Sequence, residues 1–504
     1  MSANHDSDKK VINFPPKFRR NCNIAQYLVS IVLGGINANM GLVLSLQVIV
    51  IGDLLSGKES FHINSFEASW FGSLPFIFIS TSSILAGFLQ EKFGRKGTIL
   101  FAHVPVIAGF VCLYLTDSVV LLYSSAISFG LFAGFNQGAS MTYAGEVFQP
   151  ELRGTLTSIP GIFFNIGFIV VFLLSTIYPW RKIVFICTVL PIVTFICTFI
   201  LPESPLWLVQ QKKNKKAKKA LKWLRGWTTE EYIQDEWDAL INQVNAKTRK
   251  NDSKLPECQN LARSDTGPEE ELTVFQTCSL FFGSEVQRPM YLVLTYFLGV
   301  LCCCLMPFKP MLIEVMSEMK IKFDPHLFLF ISALLQFAGA CSFSIVLRRY
   351  GKRVLTIFGF TVSIATCYGL AAYIMLGIQK SWIPLVLLSI NSFIATFGLI
   401  TIPWILISEV FPLRFRGIAS GVSAALSNGI MFLTIKTYVN FKTLLGLPGS
   451  IIMYGTIAVF SLLYLYLNLP ETEGKTLEDI ELGFQQKKAN AQHQNPKVEE
   501  VQQN

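Results

Sequence analysis

Gly145-Glu-Val-Phe-Gln-Pro-Glu-Leu-Arg153-Gly154 decides the fold once it is set beside Ser408-Glu-Val-Phe-Pro-Leu-Arg-Phe-Arg416-Gly417. Both carry Glu-Val-Phe and then Arg-Gly, with the arginine seven positions after the glutamate, and each follows a long apolar run. Two further pairs share this layout. Phe93-Gly-Arg-Lys96 matches Tyr350-Gly-Lys-Arg353, and Pro202-Glu-Ser-Pro205 matches Pro470-Glu-Thr-Glu473. The offsets are 263, 257 and 268 residues. Each pair alone is weak, but three pairs at nearly one offset mean that the second half of the chain repeats the first.

The apolar runs around these motifs are of bilayer length, since a helix needs about 20 residues to cross the hydrocarbon core. They read at 27–51, 70–90, 98–116, 119–143, 156–178 and 183–201. After a long polar stretch come 289–313, 327–347, 354–376, 382–408, 417–439 and 449–469. Composition agrees: of 504 residues, 52% are apolar and only 15% charged, where an ordinary globular chain carries about 25% charged residues. So few polar groups cannot cover a water-facing surface. The runs are continuously apolar instead of alternating, which selects helices over a barrel. The expected fold is an all-α membrane protein of 12 transmembrane helices in two homologous six-helix bundles, joined by a helical loop. It divides the chain into a tail 1–26, a bundle 27–201, a central loop 202–288, a second bundle 289–469 and a tail 470–504. Two six-helix units in parallel repeat is transporter architecture.

Basic residues orient the spans. With both termini inside, the inner segments hold 33 of the 42 lysines and arginines. Termini and central loop are therefore expected in the cytoplasm, with Arg181 and Lys182 as exceptions in a short outer loop. Residues 1–26 are polar and basic, and the first apolar run is too long for a signal peptide. None of the 11 cysteines falls in an outer loop, so no structural disulfide is expected. The net charge of +9 suits basic segments beside anionic lipid and gives no reason to expect nucleic acid. Lys212–Lys222 reads as a solvated helix face. There is no P-loop, zinc-ligand spacing or nucleophile with a base, so neither an enzyme, a cofactor nor a metal site is expected, nor an obligate protein partner. The sequon Asn251-Asp-Ser253 lies in the central loop and is expected to stay unmodified.

The repeated motifs place Glu, Arg and Lys at inner helix ends, where charges can pair between neighbouring helices. Such pairs can hold one side of a two-bundle protein shut and break as the bundles rock; anchoring of helix ends among headgroups is the plainer alternative. The residues expected at this gate are Glu91, Arg95, Glu146, Arg153 and Glu203 in the first half, with Lys352, Arg353, Glu409, Arg416 and Glu471 in the second. A carboxylate that titrates within the pathway marks proton coupling. Here the spans carry acids only at their ends (Asp53, Glu146, Glu314, Glu409), so facilitated diffusion is the expectation. Lys309, between Pro307 and Pro310, is unusual: it either snorkels outward or lines the cavity and favours an anion.

The chain resembles the sugar porter branch of the major facilitator superfamily over about residues 20–485. The resemblance rests on Gly87-x-x-x-Glu91-Lys92-x-Gly94-Arg95-Lys96, Tyr143-x-x-Glu146, Glu151-Leu-Arg153-Gly154 and Pro202-Glu-Ser-Pro205. It continues through Gly351-Lys352-Arg353, Pro403-Trp404, Glu409, Arg416-Gly417 and Pro470-Glu-Thr-Glu-Gly-Lys-Thr476. Glu67-Ala-Ser-Trp70, Pro160-x-x-x-x-Asn165-Ile-Gly167 and Thr434-Ile-Lys-Thr437 are similar to the insect facilitated trehalose transporters. The resemblance implies the major facilitator fold, a multi-pass place in the cell membrane and a sugar or polyol-like solute. Departures are specific. Ala126, Leu206, Arg348 and Met141 stand where that family has arginine, arginine, an acid and proline. In span 7 the sugar-binding Gln-Gln-Leu-Ser-Gly-Ile-Asn is replaced by Val300-Leu-Cys-Cys-Cys-Leu-Met306.

A sugar site needs buried amides, hydroxyls and indoles, because each dehydrated hydroxyl left without a partner costs affinity. The remaining candidates are Trp404, Asn428, Gln336 and Asn165, with Asn37, Asn39, Asn136 and Gln137 behind them. Trp404 can stack on a sugar face while its N–H donates; the amides can equally serve only to bond neighbouring helices. Two functions remain open: a facilitative sugar transporter working by alternating access, and a non-transporting sensor or degenerate paralogue that kept the scaffold and lost the site.

Overall fold

The computed structural model describes residues 16–57, 61–252, 284–411 and 416–471. Among the described residues, eleven stretches are long and apolar enough to cross a membrane. The last, Ala419–Asn468, has 50 residues, far more than the ~20 one crossing needs, and its helix breaks at Gly446. It therefore holds two spans, which makes twelve.

Spans 1 to 5 lie in Pro16–Leu55, Ser65–Phe93, Arg95–Tyr114, Val119–Val147 and Pro150–Ser175. Span 6 is Trp180–Cys187 followed by Val189–Ile200. Span 7 starts as Ser284–Cys303, tightens through Met306–Met311 and ends as Leu312–Glu318. Spans 8 and 9 form one stretch, Pro325–Met375, bent at Gly351. Span 10 runs Trp382–Ile394, a widened turn Ala395–Leu399 and Thr401–Glu409. Spans 11 and 12 share Arg416–Asn468.

Local chemistry sets several of these ends. Asn64 accepts from the Glu67 N–H while Glu67 accepts from the Asn64 N–H, both at 2.9 Å, so two donors of the first turn of span 2 are satisfied reciprocally. Asp324 accepts from the His326 N–H ahead of span 8, and Pro325 needs no partner for a missing donor. The span 1 helix begins at Pro16, inside the stretch read from composition as a tail. Its polar first turns continue the helix beyond the apolar run and reach the central segment, with Cys22 Sγ donating to Leu224 O.

Within each half the spans pack side by side, span 1 on span 5 and span 2 on span 4. Phe88, Phe185, Ile345, Phe460 and Leu467 are exposed around the bundle, as side chains facing lipid are. The central segment forms the short helices Pro205–Gln210, Asn214–Leu224 and Gln234–Asp252 around a small core of Trp207, Leu221, Ile233 and Trp237. It docks on the first half: Trp207 Nε1 donates to Glu91 O at 3.0 Å, and Arg225, ion-paired with Glu236, reaches Val147 O. The side bearing this segment is called the loop side below, and the opposite one the far side. Residues 1–15, 253–283 and 472–504, with Cys258, Cys278 and most of the expected C-terminal tail, lie outside the described residues, as do the side chains of Arg348 and Arg416.

Candidate functional site

The loop-side motifs build the same corner twice. Gly94 joins spans 2 and 3 at φ +86°, and Gly351 joins spans 8 and 9 at φ +75°. A Cβ at Gly94 would collide with the Glu203 carboxylate, and one at Gly351 would lie 2.6 Å from Glu471 Oε2. Only glycine allows both the left-handed turn and the approach of the acid. Glu203 accepts from the N–H groups of Arg95 and Lys96 at 3.0 Å and of Gly97 at 3.4 Å. Glu471 accepts from those of Lys352 and Arg353 at 3.1 and 3.0 Å. Each carboxylate thus caps the start of the third helix of its half, where unpaired N–H groups and the helix dipole favour an anion.

The basic pair is used in opposite order in the two corners. Arg95 directs Nε and Nη2 at Glu146 Oε1, at 3.1 and 2.8 Å, and Lys96 caps the end of span 6 through Phe199 O and Leu201 O. In the second half Lys352 Nζ holds both oxygens of Glu409, at 2.8 and 2.9 Å, and Arg353 caps span 12 through Tyr466 O. Glu146 also accepts from Ser204 Oγ, a contact that the charge pattern gave no sign of. Arg153 donates to Phe148 O of its own turn, and Glu91 is exposed and joins only through its backbone carbonyl.

A cavity with about 530 Å³ of empty space lies between the halves. Val48 of span 1 and Phe172 of span 5 face residues of spans 7, 8 and 10 across it. Its polar wall is a chain: Lys309 Nζ donates to Gln336 Oε1 at 3.2 Å, Gln336 Nε2 to Ser332 Oγ at 3.1 Å, and Ser332 Oγ to Ser392 Oγ at 3.1 Å. Lys309 also sits over the Phe168 ring at 5.9 Å, so it points inward and does not snorkel.

The break in span 7 creates this wall. Leu305 takes the left-handed conformation at φ +55°, and Pro307 has no N–H to give the Cys303 carbonyl four residues earlier. Asn391 fills that role from span 10, its Nδ2 donating to Cys303 O at 2.9 Å, and Cys367 Sγ adds a second donor. The clue in the sequence was a lone amide in the apolar run 382–408.

Of the four residues singled out for solute contact, Gln336 lines the cavity. Trp404 packs edge-on against Phe297, ring centroids 4.9 Å apart. Asn428 and Asn165 spend an N–H on Ala424 O and Gly161 O of their own helices. None of these three belongs to the cavity wall. Asn39 donates to Thr194 and Asn136 accepts from Ser140, both inside the first bundle.

On the far side two motifs distant in sequence meet. Lys436, from Thr434-Ile-Lys-Thr437, donates to Ser69 Oγ at 2.9 Å and lies over the rings of Phe66 and Trp70 at 3.9 and 4.2 Å. Ser69 and Trp70 belong to Glu67-Ala-Ser-Trp70. His326 and Asp53 approach to 3.8 Å, and Ile313 packs against Gly52. Spans 2 and 11, and spans 1, 7 and 8, are thereby joined across the halves on this side.

Residues 22–484 match the family described as "Sugar (and other) transporter". The facilitated trehalose transporter Tret1 of Drosophila pseudoobscura pseudoobscura is 27% identical over 429 residues, 84% of this chain and 46% of that protein. Tret1 of Apis mellifera ligustica is 25% identical over 430 residues, 84% of this chain and 81% of that one. The chain thus spans about half the length of the Drosophila relative that it matches. Among solved structures, the inward-open conformation of the xylose transporter XylE from E. coli superposes with a TM-score of 0.65. That likeness, at 17% identity over 91% of this chain and 98% of the other, is one of fold. With twelve spans in two repeated halves, and a match covering nearly its whole length, this chain has the major facilitator fold and belongs to the sugar (and other) transporter family.

Proposed function

We propose that this protein carries a sugar across the cell membrane by facilitated diffusion and alternating access, with its termini and central segment in the cytoplasm. One observation carries the reading: a cavity bounded by spans of both halves, while each loop-side charge cluster described above closes within its own half. Halves so tied can rock as bodies about a site between them, which is how parallel-repeat transporters alternate access. The far-side contacts Lys436–Ser69 and Asp53–His326 are then the ones that must part when that side opens. Among the described residues no carboxylate lines the cavity, which supports facilitated movement over proton coupling. The curated relatives named above are trehalose transporters, so trehalose and glucose are the first solutes to test. Within this reading Gln336 contacts the solute, and Trp404, Asn428 and Asn165 can join it only in a conformation that turns them to the cavity.

The test is counterflow of radiolabelled trehalose or glucose into proteoliposomes of the purified chain without an ion gradient. Saturable, solute-specific flux is expected. Its absence for every solute that binds would overturn transport and leave a sensor. Sidedness is tested apart: an impermeant thiol reagent in intact cells should label a cysteine placed at Asp117 and spare one at Lys216.

A further inference from the structure

Lys309 is the one charged side chain on the cavity wall among the described residues. We infer that Lys309, with Gln336, Ser332 and Ser392, forms a site for a monosaccharide carrying a carboxylate, so that the solute is a sugar acid in preference to a neutral sugar. The inference rests on the transport reading above and narrows its solute.

An ammonium has three N–H donors. At Lys309 one is directed at Gln336 Oε1, and Phe168 faces the charge at 5.9 Å through its ring. Neither partner carries negative charge. The nearby acids are committed elsewhere: Glu314 is paired with Lys442 at 3.1 Å, and Asp53 faces His326. A cation held away from water without a counter-ion is unfavourable, and a carboxylate from the solute supplies what the protein does not. Next to it, the Gln336–Ser332–Ser392 chain presents amide and hydroxyl groups suited to ring hydroxyls.

The experiment uses the full chain and two probes of equal ring size, D-glucuronate and D-glucose. Binding is read by ligand-induced stabilisation in detergent, and flux by counterflow in proteoliposomes. Wild type should bind glucuronate about tenfold tighter than glucose, and Lys309→Met should lose that preference while Lys309→Arg keeps most of it. Melting of each variant without ligand reports whether it folds, and the wild-type preference stands independently of any variant. Equal binding of the two probes, tighter binding of glucose, or a preference that survives in Lys309→Met would overturn the sugar-acid site. Counterflow of glucose in that event would leave the transport reading intact. Glucuronate binding that depends on Lys309 without flux of either probe would keep the site and overturn transport.

Discussion

The two loop-side corners share one motif and differ in the donors that hold their acids. Among the described residues, Glu203 accepts from three N–H groups at the start of span 3 and Glu471 from those of Lys352 and Arg353; Glu146 holds Arg95 and Ser204, whereas Glu409 holds Lys352. The first corner is also buttressed from outside, since Trp207 and Arg225 of the central segment bond the ends of spans 2 and 4. A forked guanidinium and a hydroxyl fix a carboxylate in direction as well as distance, while an ammonium fixes little beyond distance. Repetition thus preserves the position of each charge, and the donors around it set how firmly the corner is locked. The first half should be the stiffer body.

The largest test of that difference removes the capping acids. Glu203→Ala leaves three N–H groups at the start of span 3 without their acceptor and should cost about 3 kcal/mol of stability, with Glu471→Ala costing less. Thermal unfolding of the purified variants measures both, and equal losses would show that the corners are equivalent.

Next comes the conformational balance. Glu146→Gln should raise the reaction rate of an engineered loop-side cysteine about tenfold and Glu409→Gln about threefold, because ~1.4 kcal/mol moves a two-state equilibrium tenfold. An unchanged rate in Glu146→Gln would reduce these residues to helix anchors.

The exchanged order of the basic pair gives a smaller effect. Arg95→Lys surrenders the two-pronged contact with Glu146 and the bond to Gln90 O, for a loss of about 1 kcal/mol that Arg353→Lys, which keeps its cap on Tyr466 O, should not match. Similar melting shifts would mean that the fork contributes nothing in particular.

The smallest effect belongs to the exposed rim of the central segment. The hydrogen bond from Lys222, aided by its charge and that of Lys218, holds the Glu230 carboxyl below the usual carboxylate range. A depressed value in the folded state stabilises above the unfolded value of about 4.3 and fades as pH falls through the folded one. Solvent screens the group, so Glu230→Gln should shift melting at pH 7 by no more than about one degree, and by less as the carboxyl protonates in acid. A larger shift would mean that the segment supports the first corner through this pair as well as through Trp207.

The sequence by itself determined the number of spans, the twofold repeat and the residue types at the loop-side corners. Length of apolar run, spacing of motifs and charge at helix ends are properties of one dimension, and a bilayer converts them directly into topology. Glycine at 94 and 351 was legible for the same reason, as part of a motif found twice. Only the tertiary structure decided which partner each charge takes. Each residue turns a helix by about 100°, so the direction of Trp404 toward Phe297 and of Gln336 toward Lys309 depends on how neighbouring spans are rotated. The exchange of Arg and Lys roles between corners is equally invisible in a string where both pairs read as basic. The meeting of Ser69 and Trp70 with Lys436 lies further still from sequence reasoning, because residues 367 positions apart are brought together only when the two halves pack. Burial and span length are local sums over the chain; contact between halves is a property of their shared surface, and that surface exists only once both have folded.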